Sequence, residues 1–164
     1  MKAVDYELLC EQMRALSEGV DYEITNLANA SALLYDAMPD LNWAGFYLYR
    51  GGVLRLGPFQ GKPACTRIDM GRGVCGTAAQ NDRTELVPDV HKYPGHIACD
   101  GASNSEIVIP IHKNKRLYGV LDIDSPELSR FSEDDRAGLT AFVRVMEQIL
   151  EGEENSNVCE DTGR

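Results

Sequence analysis

Apolar residues recur at helical spacing through residues 5–37, as Leu8, Leu9, Met13 and Leu16 and then Ile24, Leu27, Ala28 and Leu34. That period predicts amphipathic helix. Gly19 divides the stretch, so two helices are expected, the second starting near Asp21. Met38-Pro39-Asp40 ends it, because the residue before proline disfavours the helical region. The pattern then changes to an aromatic, strand-like run at 42–49, NWAGFYLY. Gly51-Gly52 turns the chain and 53–59 returns beside it, an antiparallel hairpin.

Residues 61–73 hold Gly61, Pro63, Gly71 and Gly73 and predict no long regular element. A short helix follows at 74–80, a short strand at 84–87, and an irregular loop at 91–104. The apolar run 106–111 reads as a strand, and Pro110 within it predicts an edge or a bulge. Lys113-Asn114-Lys115 makes a turn to a further strand at 117–123. Ser132 caps a last helix whose first turn is acidic and whose apolar face is Leu139, Phe142, Val143, Met146 and Leu150.

This order predicts an α+β fold, a central antiparallel sheet with helices on one face. The other face is left to the long loops, and loops of that length in a compact domain usually carry function. The 164 residues are read as one domain over 1–151, with the helices of 5–37 packed on the sheet. An acidic, polar tail at 152–164 is expected to be disordered.

The net charge of −10, with Arg and Lys scattered, excludes the concentrated basic face that nucleic acid needs. No stretch approaches the roughly 18 apolar residues of a membrane span. The opening MKAVDYELLCEQM has no apolar core like that of a signal peptide. The expectation is a cytoplasmic protein with reduced thiols and no membrane partner. Its five cysteines, an odd number, exclude a full set of structural disulfides in a monomer.

Three of those cysteines, Cys65, Cys75 and Cys99, lie in the breaker-rich stretch between the two strand regions. Just beyond come Glu106, Asp122 and Asp124, isolated among apolar residues. Asp122 and Asp124, two apart, share a strand face, as do Trp43, Gly45 and Tyr47. Thiols beside carboxylates kept from bulk water suggest redox chemistry with an acid to assist it. Blander readings stand beside this one. Cysteine is often a small buried hydrophobe, which suits Cys10 on its helix and also Cys75 at a helix start. Cys99, in a loop, suits it less. Cys159 in the polar tail reads as an incidental exposed thiol. Trp43 could be plain core, and Asp124-Ser125-Pro126 has turn chemistry. His91, His96, Cys99 and Asp89 offer zinc ligands on paper, but no C-x-x-C pair accompanies them, and no metal is expected. Gly71-x-Gly73 lacks the lysine and spacing of a phosphate loop.

The stretches NWAGFYLY, LGPFQGKPACTRIDMGRGVCGTAA, VPDVHKYPGHIACD, SEIVIPI and GVLDIDSPELSRFSEDD carry a family likeness. The chain resembles a GAF domain, and more closely the single-domain GAF enzymes that reduce free methionine-(R)-sulfoxide. The last stretch is common to GAF domains generally. The ACTRI, GVCGT and HIACD cysteines, with tryptophan in the first strand, are the specific part.

The resemblance implies thiol chemistry on a sulfoxide, which lies on the reversible part of the oxidation ladder. Cys99 is then the nucleophile that becomes a sulfenic acid, and Cys65 the resolving thiol that forms a disulfide with it. Cys75 is a third family cysteine, auxiliary or an alternative resolving thiol. Glu106 and Asp124 bind and protonate the sulfoxide oxygen, Asp122 belongs to the same acidic pocket, and Trp43 and Tyr47 wall it. The implied partners are free methionine-(R)-sulfoxide and thioredoxin as reductant, with no cofactor beyond the Cys65–Cys99 disulfide. A homodimer through the helices is a further family expectation. Two other functions compete, a small-molecule sensor of GAF type and a thiol redox switch without turnover. Neither a ligand sensor nor its partner needs cysteines at all three of these positions.

Overall fold

The computed structural model describes residues 3–97 and 99–160, with side chains given up to residue 152. Two helices open the chain, α1 (Tyr6–Ser17) and α2 (Glu23–Ala37). The Asp5 side chain accepts from the Leu8 backbone N–H and satisfies one free donor at the start of α1. Leu9, Cys10 and Met13 form its buried stripe, whereas Leu8 and Leu16 are 47% and 44% exposed. The sequence period had placed all the apolar residues together. Where Leu8 and Leu9 are adjacent, only one of them can face the core. Ile24 likewise lies outside the stripe of α2, which buries Asn26, Leu27, Ala30, Ser31 and Leu34.

The strands β1 (Trp43–Arg50), β2 (Val53–Gly61), β3 (Arg67–Asp69), β4 (Glu85–Val87), β5 (Ser105–Lys113) and β6 (Arg116–Ser125) make one antiparallel sheet. Their order is β3-β2-β1-β6-β5-β4, so β1 and β6 lie at the centre. The short helix α3 (Gly73–Asn81) and a 3₁₀ turn (Val90–Lys92) interrupt the loops, and α4 (Glu133–Glu160) closes the chain. The fold is α+β, as the element order predicts. Strand β3 lies inside the breaker-rich stretch and is too short to leave a period. Pro110 falls beyond the last residue that β4 pairs, and the register shifts between Ile111 and His112. Pro110 thus lies where β5 is locally an edge, one of the two readings of that proline, and the register shift comes just beyond it.

Each sheet face has its own core. Ala44, Phe46, Leu48, Ile107, Ile109, Leu121 and Ile123 pack under α1, α2 and α4. Trp43, Tyr47, Val108 and Val120 face the other way, against Val74, Cys75 and Ala78 of α3 and the loops. Alternation along each strand places these two sets on opposite faces.

Ser132 and Asp135 form a reciprocal cap at the start of α4. The Asp135 N–H donates to Ser132 Oγ, and the Ser132 N–H donates to the Asp135 carboxylate. Tyr6 also donates its hydroxyl to Asp135 at 2.7 Å, which ties α1 to α4. Helical backbone runs on to Glu160, into the stretch expected to be disordered, and residues 161–164 and the side chain of Cys159 lie outside those described. Among the described residues no helix is long and apolar enough to cross a membrane.

Candidate active site

Register across the central strands builds the floor of a cavity on the α3 face. Trp43 of β1 pairs with Asp124 of β6, and Asp124 in turn with Glu106 of β5. The next row is Gly45, Asp122 and Val108. Carboxylates on two strands thus meet under one aromatic wall. Gly45 is required by that geometry. A Cβ there would lie 2.3 Å from Phe59 Cβ, where the β1–β2 register shifts and Phe59 comes over the strand. Phe59 then stacks on Trp43 at 5.1 Å between centroids, and Trp43 on Tyr47 at 5.8 Å.

The start of α3 closes the cavity from above. Its close approach depends on Gly76, where a Cβ would meet the Asp69 carbonyl at 2.5 Å. Cys75 is buried, with Sγ 3.9 Å from Glu106 Oε1. Glu106 and Asp122 are each only 6% exposed. Burial, and then the charges of Asp122 and Asp124, push the Glu106 carboxyl well above the usual carboxylate range. Asp124 is also pushed well above it, by burial and the Asp122 charge, against a hydrogen bond with Ser103. Burial raises Asp122 as well, opposed by the neighbouring groups of Glu106, Cys75 and Asp124. The Cys75 thiol is held well above its ordinary value by burial and then by Asp122 and Glu106. It is therefore a neutral thiol, poorly suited to attack as a thiolate.

Cys65 and Cys99, 34 residues apart, are joined by a disulfide with a Cα–Cα separation of 5.7 Å. Cys99 lines the cavity together with Trp43, Tyr47, Cys75 and the acids. The aromatic residues do more than wall it. Tyr47 donates its hydroxyl to the Cys65 carbonyl at 3.0 Å, and Trp43 Nε1 donates to the Lys62 carbonyl at 3.2 Å. Both hold the Cys65 segment over the sheet. On the other side Asn42 Nδ2 donates to Asp100 Oδ2 and to Ser103 Oγ, each at 3.0 Å, and so ties the Cys99 loop to the head of β1. Asn42, Ser103 and Phe59 were not read as site residues. Asn42 and Ser103 act through loop contacts and Phe59 through the register shift of β1 and β2, none of which leaves a spacing in the sequence. Arg72, between Gly71 and Gly73, brings a cation to the cavity wall.

The histidines do not assemble the zinc set weighed from the sequence. His91 is exposed and its Nδ1 lies 3.0 Å from Asp89, while the Cys99 sulfur is committed to the disulfide. His96 lines the cavity, its ring held below the usual histidine range by burial and then by His91.

The GAF domain family matches residues 13–150 of the chain. The free methionine-R-sulfoxide reductase of Escherichia coli is 50% identical over 145 residues, 88% of this chain and 88% of that protein. The chain belongs to the GAF family, in its free methionine-R-sulfoxide reductase branch. Protein YtsP of Bacillus subtilis is 54% identical over 91% of this chain and 93% of its own length. The solved structure of the free methionine-R-sulfoxide reductase from Neisseria meningitidis, in complex with its substrate, superposes with a TM-score of 0.89 at 39% identity. That match covers 95% of this chain and 96% of the other. Cys75, Cys99, Glu106, Asp122 and Asp124 line this cavity, and Cys65 is joined to it through Cys99.

Proposed function

We propose that this protein reduces free methionine-(R)-sulfoxide to methionine, with Cys99 as nucleophile and Cys65 as resolving thiol. The observation that carries the reading is the Cys65–Cys99 disulfide set over a cavity floored by buried, proton-holding carboxyls. Relatives named for this reaction, at 50% and 46% identity, support it.

The chemistry balances within the site. In the reduced protein the Cys99 thiolate attacks the sulfoxide sulfur while a neutral carboxyl, Glu106 or Asp124, gives its proton to the sulfoxide oxygen. The S–O bond breaks as methionine leaves and the oxygen passes to Cys99 as a sulfenic acid. The Cys65 thiol attacks that sulfur, the oxygen departs as water, and the disulfide forms. A dithiol protein of the thioredoxin class reopens it by two exchanges and is itself oxidised. Cys75, a buried neutral thiol beside Glu106, serves as a donor to that carboxyl.

With the disulfide closed the cavity measures about 40 Å³, room for a few waters. Opening the Cys65–Cys99 bond therefore precedes substrate entry. Polar groups set to meet a free ammonium and carboxylate would be left unpaired by a peptide chain, which supports selectivity for the free amino acid.

A single-turnover experiment tests the reading. Protein reduced with dithiothreitol and freed of it should release one methionine per chain from the R sulfoxide and lose two thiols. Peptide mapping should then find Cys65 joined to Cys99. Methionine release without loss of thiols, or a different cysteine pair, would contradict the mechanism.

A further inference from the structure

The cavity also presents a set of metal donors. Cys75 Sγ, a Glu106 carboxylate oxygen and an Asp122 carboxylate oxygen all lie within 4.8 Å of one another, and all three residues are buried. Donors around a tetrahedral zinc ion, bonded at about 2.0–2.3 Å, stand roughly 3.3–3.8 Å apart. The Cys75–Glu106 separation of 3.9 Å is already close to that. A second feature points the same way. Asp122 Oδ1 is sealed from solvent on a residue only 6% exposed, lines the cavity, and has no hydrogen-bond partner. Asp124 Oδ1, one row away, is also sealed from solvent and without a partner, although the residue is less buried.

We propose that Cys75, Glu106 and Asp122 bind a borderline-soft divalent cation of the zinc and cadmium class, and that the ion blocks the cavity. One sulfur with two carboxylates suits that class, whereas magnesium and calcium take oxygen ligands alone. Three protein ligands leave a further coordination position open toward the cavity. The ion displaces the ligand protons as it binds. The site does not depend on the reductase reading, because Cys75 is a free thiol while Cys65 and Cys99 are tied. It is a second ligand class for the same walls and gives the protein a means of inhibition by metal.

The test uses the oxidised protein and cadmium chloride alone. Binding to a thiolate gives a sulfur-to-metal charge-transfer band in the ultraviolet, and one equivalent per chain is expected. Cys75→Ser should abolish the band, while Cys10→Ser and Cys159→Ser should keep it. Asp122→Asn removes a direct ligand and should weaken binding by at least about tenfold, the lower bound for loss of even an outer-shell partner. Circular dichroism of each variant checks that it is folded. As a second readout, cadmium should raise the Tm of the wild type and leave that of Cys75→Ser unmoved. No band, or a band that survives Cys75→Ser, overturns the proposal. A band in a protein that turns over no sulfoxide upholds the metal site and removes only the reductase reading.

Discussion

Glu106 stands directly opposite Asp124 on the β5–β6 ladder, two carboxyls paired in one row of the sheet. Like charges at facing positions repel. Burial forbids water from screening them, so the row keeps a proton that isolated carboxylates would lose. A neutral acid at the floor of a thiol-lined cavity is what protonation of a departing sulfoxide oxygen requires.

Replacing the donor should slow chemistry and spare the fold. Glu106→Gln or Asp124→Asn is expected to lower kcat for sulfoxide reduction by about 10²–10⁴-fold, the range for lost general-acid catalysis. Disulfide formation from a Cys99 sulfenic acid made with hydrogen peroxide should continue. Rapid-quench measurement of methionine release separates the two steps.

The same carboxyls set a pH dependence of stability. Their folded pKa values are raised, so the folded state holds more protons than the unfolded one. Stability therefore falls as pH rises from about 4, the unfolded value, up through the folded values. Asp122→Asn removes part of this. Its Tm should exceed that of the wild type at pH 8, and the two should converge near pH 4. Melting curves across that window check it, and a lower Tm for the variant at pH 8 would contradict the assignment of buried, raised acids.

The thiols should divide cleanly by role. Cys99→Ser should abolish even one turnover. Cys65→Ser should release one methionine and stall as a sulfenic acid, trapped by dimedone. Cys75→Ser should still form the Cys65–Cys99 disulfide, because its thiol is neutral and outside that pair. Mass spectrometry of each variant after one addition of substrate reads all three outcomes.

Asn42 is expected to act on the loop without entering the chemistry. Asn42→Ala removes its bonds to Asp100 and Ser103 and should cost about 1–2 kcal/mol of local stability. Hydrogen exchange at residues 100–103 should quicken and KM should rise. An unchanged exchange rate would show that the loop is held by other contacts.

Much of this was legible in the chain. The alternation of Trp43, Gly45 and Tyr47 and the two-residue spacing of Asp122 and Asp124 place each set on one strand face. That the two sets meet depends on the β1–β6 register, which is tertiary and leaves no local mark. The pairing of Cys65 with Cys99 rests on family likeness, since a separation of 34 residues fixes no partner. Leu8 and Leu16 misled because apolar residues on adjacent helical positions cannot all face inward. Gly45 looked like one strand residue among others, and only the close approach of Phe59 explains why it has no side chain. Gly45→Ala should accordingly lower stability by about 1–3 kcal/mol, the cost of overpacking, read from the urea midpoint.

The central claim is best tested by following methionine release from free R- and S-methionine sulfoxide, supplied separately, with thioredoxin, thioredoxin reductase and NADPH providing electrons. The account predicts repeated turnover of the R form and none of the S form. Turnover of the S form alone, or of neither by a protein with confirmed reduced thiols, would contradict it.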